Sequence, residues 1–105
     1  MLTQAKLRDI LWYDPETGVF IWLRPPKHNS KLLGKPAGNT RPDGYTTIRI
    51  NGEAYYAHRL AFLYMTGQWP EPETDHIDRN PFNDRWSNLR EATSSLNKYN
   101  QERNV

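Results

Sequence analysis

The chain has 105 residues, of which 36% are apolar and 13 are aromatic: four Trp, six Tyr and three Phe. That length suits one small domain, and the large rings can anchor its core because each buries on the order of 150–250 Å². No apolar run approaches the ~18 residues needed to span a bilayer, and the opening MLTQAKLRDI lacks the apolar stretch of an export signal. Cysteine is absent, which excludes disulfides, thiol nucleophiles and cysteine zinc sites, and a reducing, cytoplasmic setting is the expectation.

Net charge is only +2, but it is unevenly spread. Residues 20–49 carry Arg24, Lys27, Lys31, Lys35, Arg41 and Arg49 against Asp43 alone. Residues 51–78 carry Arg59 against Glu53, Glu71, Glu73, Asp75 and Asp78. From residue 79 the balance turns basic again, with Arg79, Arg85 and Arg90. An acidic middle between basic flanks fits a polyanion binder with a carboxylate-bearing site, although solvated loops share the pattern.

In chain order, Leu2, Leu7, Ile10 and Leu11 fall at helical spacing behind Thr3, a helix-capping residue, so residues 2–12 are expected to form a short helix. Asp14–Gly18 is turn chemistry, and Val19–Leu23 is a strand by composition. Residues 24–43 are rich in proline, glycine and basic residues and read as a long loop. Strands Tyr45–Ile50 and Glu53–Ala57 flank Asn51-Gly52, a dipeptide favoured in tight hairpins. HRLAFLYMT (58–66) is an apolar helix ended by Gly67. Short strands are expected at 74–78 and 89–92, joined by a polar loop, with a C-terminal helix capped near Thr93.

The segment 74–97 reads TDHIDRNPFNDRWSNLREATSSLN. Asp75 and His76 are adjacent, so a strand sends them to opposite faces. A hairpin can return Asn88 beside them, and the next helix can present Asn97. Carboxylate and amide oxygens suit Mg²⁺ or Mn²⁺, and histidine is a natural general base near neutral pH. Spacing alone equally allows loop-forming Asn and Asp beside an ordinary surface histidine.

Residues 57–100 resemble the HNH endonucleases of bacteriophages, including free-standing and intron-encoded homing enzymes. AHRLA, DHID, SNLR and the following T-x-x-x-N run carry the likeness, with 12 residues from His76 to Asn88 and nine more to Asn97. The resemblance implies an α+β chain: a small N-terminal antiparallel sheet with helices (residues 1–56, contacting DNA), then a ββα-metal catalytic part (57–105). It implies metal-dependent hydrolysis of phosphodiester bonds in double-stranded DNA. His76 is then the general base, Asp75 a metal ligand, and Asn88 the residue that holds the base. Asn97 stands where many members have histidine, which turns metal preference toward Mg²⁺ or Mn²⁺.

Lys27, Lys31, Lys35, Arg41, Arg49, Arg59, Arg79, Arg85 and Arg90 are the expected DNA contacts. Asp78, Asn80, Asn83 and Asp84 are expected to shape the loop rather than to bind metal. His58 reads as a structural or capping residue, with a DNA contact as the alternative, and His28 as a loop residue. Because one site cuts one strand per encounter, double-strand cleavage would need a homodimer or two nicks. A non-catalytic DNA-binding module and a phage packaging-associated protein are the other classes compatible with this sequence.

Overall fold

A computed structural model describes residues 2–70 and 73–92. The C-terminal helix expected from Thr93, and Asn97 with it, lies outside those residues. The described chain is α+β, with small antiparallel sheets and helices.

Helix α1 spans Gln4–Ile10, and Thr3 caps it by accepting a hydrogen bond from the Lys6 N–H. It is shorter than its apolar spacing predicted. Leu11 and Trp12 belong instead to strand β1, Leu11–Asp14, because they pair with Trp22 and Ile21 of β2, Val19–Trp22. Alternation along this hairpin buries Leu11, Tyr13, Phe20 and Trp22, while Trp12 remains 47% exposed.

The basic stretch that follows is not featureless. Lys27–Leu32 forms 3₁₀ turns broken at Asn29, and Asn39–Thr40 forms strand β3. Strands β4 (Thr46–Ile50) and β5 (Glu53–Tyr56) complete a three-stranded sheet in the order β3-β4-β5. Asn51 and Gly52 both take positive φ, 51° and 87°, as a tight hairpin turn of matching twist requires.

Helix α2, Ala57–Thr66, starts directly from β5, and the N–H of Gly67 closes it onto the Leu63 carbonyl. Leu60, Ala61 and Leu63 pack with Leu7, Leu11, Tyr13, Phe20 and Ile48 in one core. Burying each large apolar side chain contributes roughly 1.5–3 kcal/mol. Gln4 and Arg8 of α1 donate to the Tyr64 carbonyl and so tie the two helices together. Strands β6 (Glu73–His76) and β7 (Leu89–Ala92) form the last hairpin, and Leu89 joins it to the core. Among the described residues, no helix is long and apolar enough to cross a membrane.

Candidate active site

Strand alternation separates Asp75 from His76. His76 faces inward and is 5% exposed. Asp75 faces the other way and is half-buried. Its register partner across the hairpin is Arg90, whose Nη2 lies 2.6 Å from Asp75 Oδ2.

The loop between the strands is built from side-chain-to-backbone hydrogen bonds. Asp78 accepts from the Asn80 N–H, and Asn80 accepts from the Phe82 N–H. Asn88 organises the turn: its Oδ1 accepts from the Asp78 N–H, and its Nδ2 donates to Asp78 Oδ1 and to the Asn83 carbonyl. The Asp78 carboxyl is held below its ordinary range, mainly by the Asn83 amide, then by the Asn80 N–H and Asn88. Asn88 acts on the His76 strand through the backbone, because its carbonyl accepts from the Ile77 N–H at 2.7 Å. The hydrogen bonds of its amide go to the loop.

Asp84 departs from expectation. Asp78, Asn80 and Asn83 shape the loop as their types predict, but the Asp84 side chain turns inward. Its Oδ1 lies 2.8 Å from His76 Nε2. Burial pushes the Asp84 carboxyl up, while the His76 hydrogen bond opposes that shift. With Asp84 ionised, Nε2–H donates, and Nδ1 keeps the lone pair. The Asp84 carbonyl in turn accepts from the Tyr13 hydroxyl at 2.5 Å, which ties the loop to β1.

His58, in the first turn of α2, lies against His76 with ring centroids 5.0 Å apart in an edge-to-face arrangement. Tyr45 touches both imidazoles, and Tyr56 packs on His58. Burial, then the neighbouring His76 and Arg59, lower the His58 pKa to about 4. One candidate ligand atom each from His58, His76 and Asp84 lies within 4.8 Å of the other two. Sequence spacing carried no sign of this trio, since Asp84 stood in a turn-forming run and His58 on an apolar helix.

The expected DNA contacts fall into two groups. Lys27, Lys31, Lys35, Arg41 and Arg49 are exposed on the 3₁₀ turns, loops and β4. Lys27 and Arg49 line an open groove of about 820 Å³ with Arg24 and His28. Arg41 pairs with Asp43 and lies over the Tyr56 ring. Arg79, Arg85 and Arg90 are exposed on the β6–β7 hairpin and its loop, and Arg59 is partly buried on α2.

Residues 55–99 match the family model for HNH endonucleases. This stretch is similar to HNH endonucleases. Among solved structures, one concerning DNA binding and cleavage by the HNH homing endonuclease I-HmuI aligns with a TM-score of 0.62 and 26% sequence identity. The alignment covers 90% of this chain and 52% of that one, so the chain spans about half the length of the structure it matches. No curated protein matches the chain. The HNH resemblance read from DHID, SNLR and their spacing is borne out, as is the α+β class. The HNH segment contains Asp75, His76, Asn88 and Asn97, together with His58 and Asp84.

Proposed function

We propose that this chain is a metal-dependent DNA endonuclease in which His76 is the general base. The observation that carries this reading is the buried His76–Asp84 pair at 2.8 Å on the hairpin of an HNH segment. Asp84 orients the ring and stabilises the imidazolium that forms as Nδ1 takes a proton from the attacking water, the role a carboxylate plays beside a catalytic histidine elsewhere. Asn88 keeps the loop in the shape that presents Asp84 to His76.

Asp75 is a fitting ligand for a hard divalent cation, since its half-buried carboxylate already attracts the Arg90 guanidinium. Asp75 and Asn97 would hold Mg²⁺ or Mn²⁺, which supplies stabilisation of charge on the phosphate and the leaving oxygen. Arg90 would then exchange its carboxylate partner for a DNA phosphate. Residues 1–56 grip double-stranded DNA through Lys27, Lys31, Lys35, Arg41 and Arg49, whose exposure supports backbone contact.

The test is supercoiled plasmid incubated with the chain in Mg²⁺, Mn²⁺ or chelator, with open-circular and linear products scored separately. Metal-dependent nicking or cutting is expected. His76→Ala should lower the rate about 10²–10⁴-fold and leave DNA binding in gel shift intact. Binding without cleavage by the wild-type chain under every metal would instead identify a non-catalytic DNA-binding module.

A further inference from the structure

We propose that His58, His76 and Asp84 form a buried transition-metal site of the Zn²⁺ class, separate from the Asp75 face. Two imidazoles and one carboxylate are a common donor set for Zn²⁺, completed by a fourth ligand such as water. The three residues come from α2, β6 and the 77–88 loop, and they are 7%, 5% and 6% exposed. Their candidate ligand atoms lie within 4.8 Å of one another. A tetrahedral Zn²⁺ with bonds of ~2.0–2.1 Å needs its ligand atoms about 3.3 Å apart, a closure that side-chain rotation can supply.

A second observation points the same way. Among the described residues, His58 Nδ1 is buried and has no hydrogen-bond partner. Buried polar atoms are nearly always paired, so an orphan nitrogen is costly unless a ligand meets it. Hydrogen bonding within the fold explains why His76 faces Asp84, but it does not explain an imidazole placed beside them with an unsatisfied nitrogen. Ligation gives His58 a role. Asp84 supplies the negative charge that a buried dication needs, against the opposing charge of Arg59.

Mg²⁺ is not the ion for this site. It prefers oxygen donors and retains its waters, whereas imidazole favours Zn²⁺, Co²⁺ and their neighbours. An ion bound here takes up the same imidazole that accepts the water proton. Zn²⁺ should therefore inhibit Mg²⁺-supported cleavage, a consequence that rests on the proposed nuclease reading; binding itself does not.

The experiment titrates the full chain with Co²⁺ in excess Mg²⁺, following visible absorption, and then displaces Co²⁺ with Zn²⁺ by calorimetry. One equivalent bound in a low-coordinate spectrum is expected. His58→Phe preserves ring volume and should weaken binding by more than the roughly 10–100-fold that loss of a ligand's supporting partner costs. Asp84→Asn should weaken it as well, while Asp75→Ala and His28→Ala should bind as the wild type does. Circular dichroism checks that each variant is folded, and His58→Gln replaces His58→Phe if the latter is not. No saturable binding, or binding that survives both His58 variants, overturns the site. Binding lost in Asp75→Ala but kept in His58→Phe also overturns it and moves the ion to the Asp75 carboxylate. Tight Zn²⁺ binding that leaves plasmid cleavage unchanged would instead remove His76 from the reaction and leave the metal site standing.

Discussion

At the scale of single residues, the proposed function rests on how buried groups settle their charges. Asp84 is the clearest case, because its carboxylate is stranded in the interior unless His76 meets it. Asp84→Asn keeps a hydrogen-bonding oxygen but loses the charge that stabilises an imidazolium. It should lower kcat by roughly 10–100-fold, with KM and DNA affinity unchanged. Wild-type turnover in that variant would remove Asp84 from the mechanism. His58 makes a second residue-level prediction. Its pKa is about 4 in the fold and near 6.5 in the unfolded chain, so between those values the unfolded chain binds the extra proton. The stability that neutral His58 brings is complete above pH 6.5 and falls away as pH drops toward 4. Between about pH 7 and 5 the wild type should lose about 1–2 kcal/mol more than His58→Phe, as measured by denaturant melts. Tyr45, Tyr56, His76, Asp84 and Arg59 surround His58, so the difference reads the His58 proton together with its coupling to His76. Equal losses would contradict this account.

At the scale of elements, the loop that carries Asp84 takes its shape partly from the N-terminal hairpin. Gly18, in the turn between β1 and β2, has φ of +79°, and a Cβ there would run into the Asp84 carbonyl carbon and lie 2.5 Å from the Arg85 nitrogen. Trp86 N–H donates to the Pro15 carbonyl, and the Tyr13 hydroxyl donates to the Asp84 carbonyl, so the two segments are joined on both sides of this approach. Gly18→Ala combines a left-handed backbone cost of roughly 1–2 kcal/mol with a clash against main chain that must move. The melting midpoint should fall, and cleavage should fall further than the unfolded fraction explains, because Asp84 is displaced from His76. A variant with unchanged midpoint and rate would show that the hairpin docks without regard to Gly18.

At the scale of the whole molecule, exposed positive charge among the described residues includes two groups of side chains. One is the groove side with Lys27 and Arg49; the other is the β6–β7 hairpin with Arg79, Arg85 and Arg90. Surface lysines contribute little to stability, so replacing Lys27, Lys31 and Lys35 with Gln should leave the melt unchanged. If these lysines touch phosphates, each substitution should reduce the salt slope of DNA binding by roughly 0.9 and weaken all sequences alike. Affinity measured at several salt concentrations decides the matter. An unchanged slope places the grip on Arg79, Arg85 and Arg90.

Much of this architecture is dictated by short-range rules that act within a few residues. Alternation sends Asp75 and His76 to opposite faces, Asn51-Gly52 sets a hairpin, and the apolar run 57–66 makes a helix that Gly67 ends. The HNH spacing is equally local, and the family resemblance rests on it. Other features needed the assembled fold. Leu11 and Trp12 satisfied a helical pattern yet became strand, because pairing with β2 supplied backbone bonds that one more helical turn could not match. The pairing of Asp84 with His76, and the seating of His58 against both, depend on how α2 and a polar loop dock around the β6–β7 hairpin. No periodicity encodes that docking. It follows from the balance of burial and hydrogen bonding over pairs such as Tyr13 with Asp84, 71 residues apart in the chain.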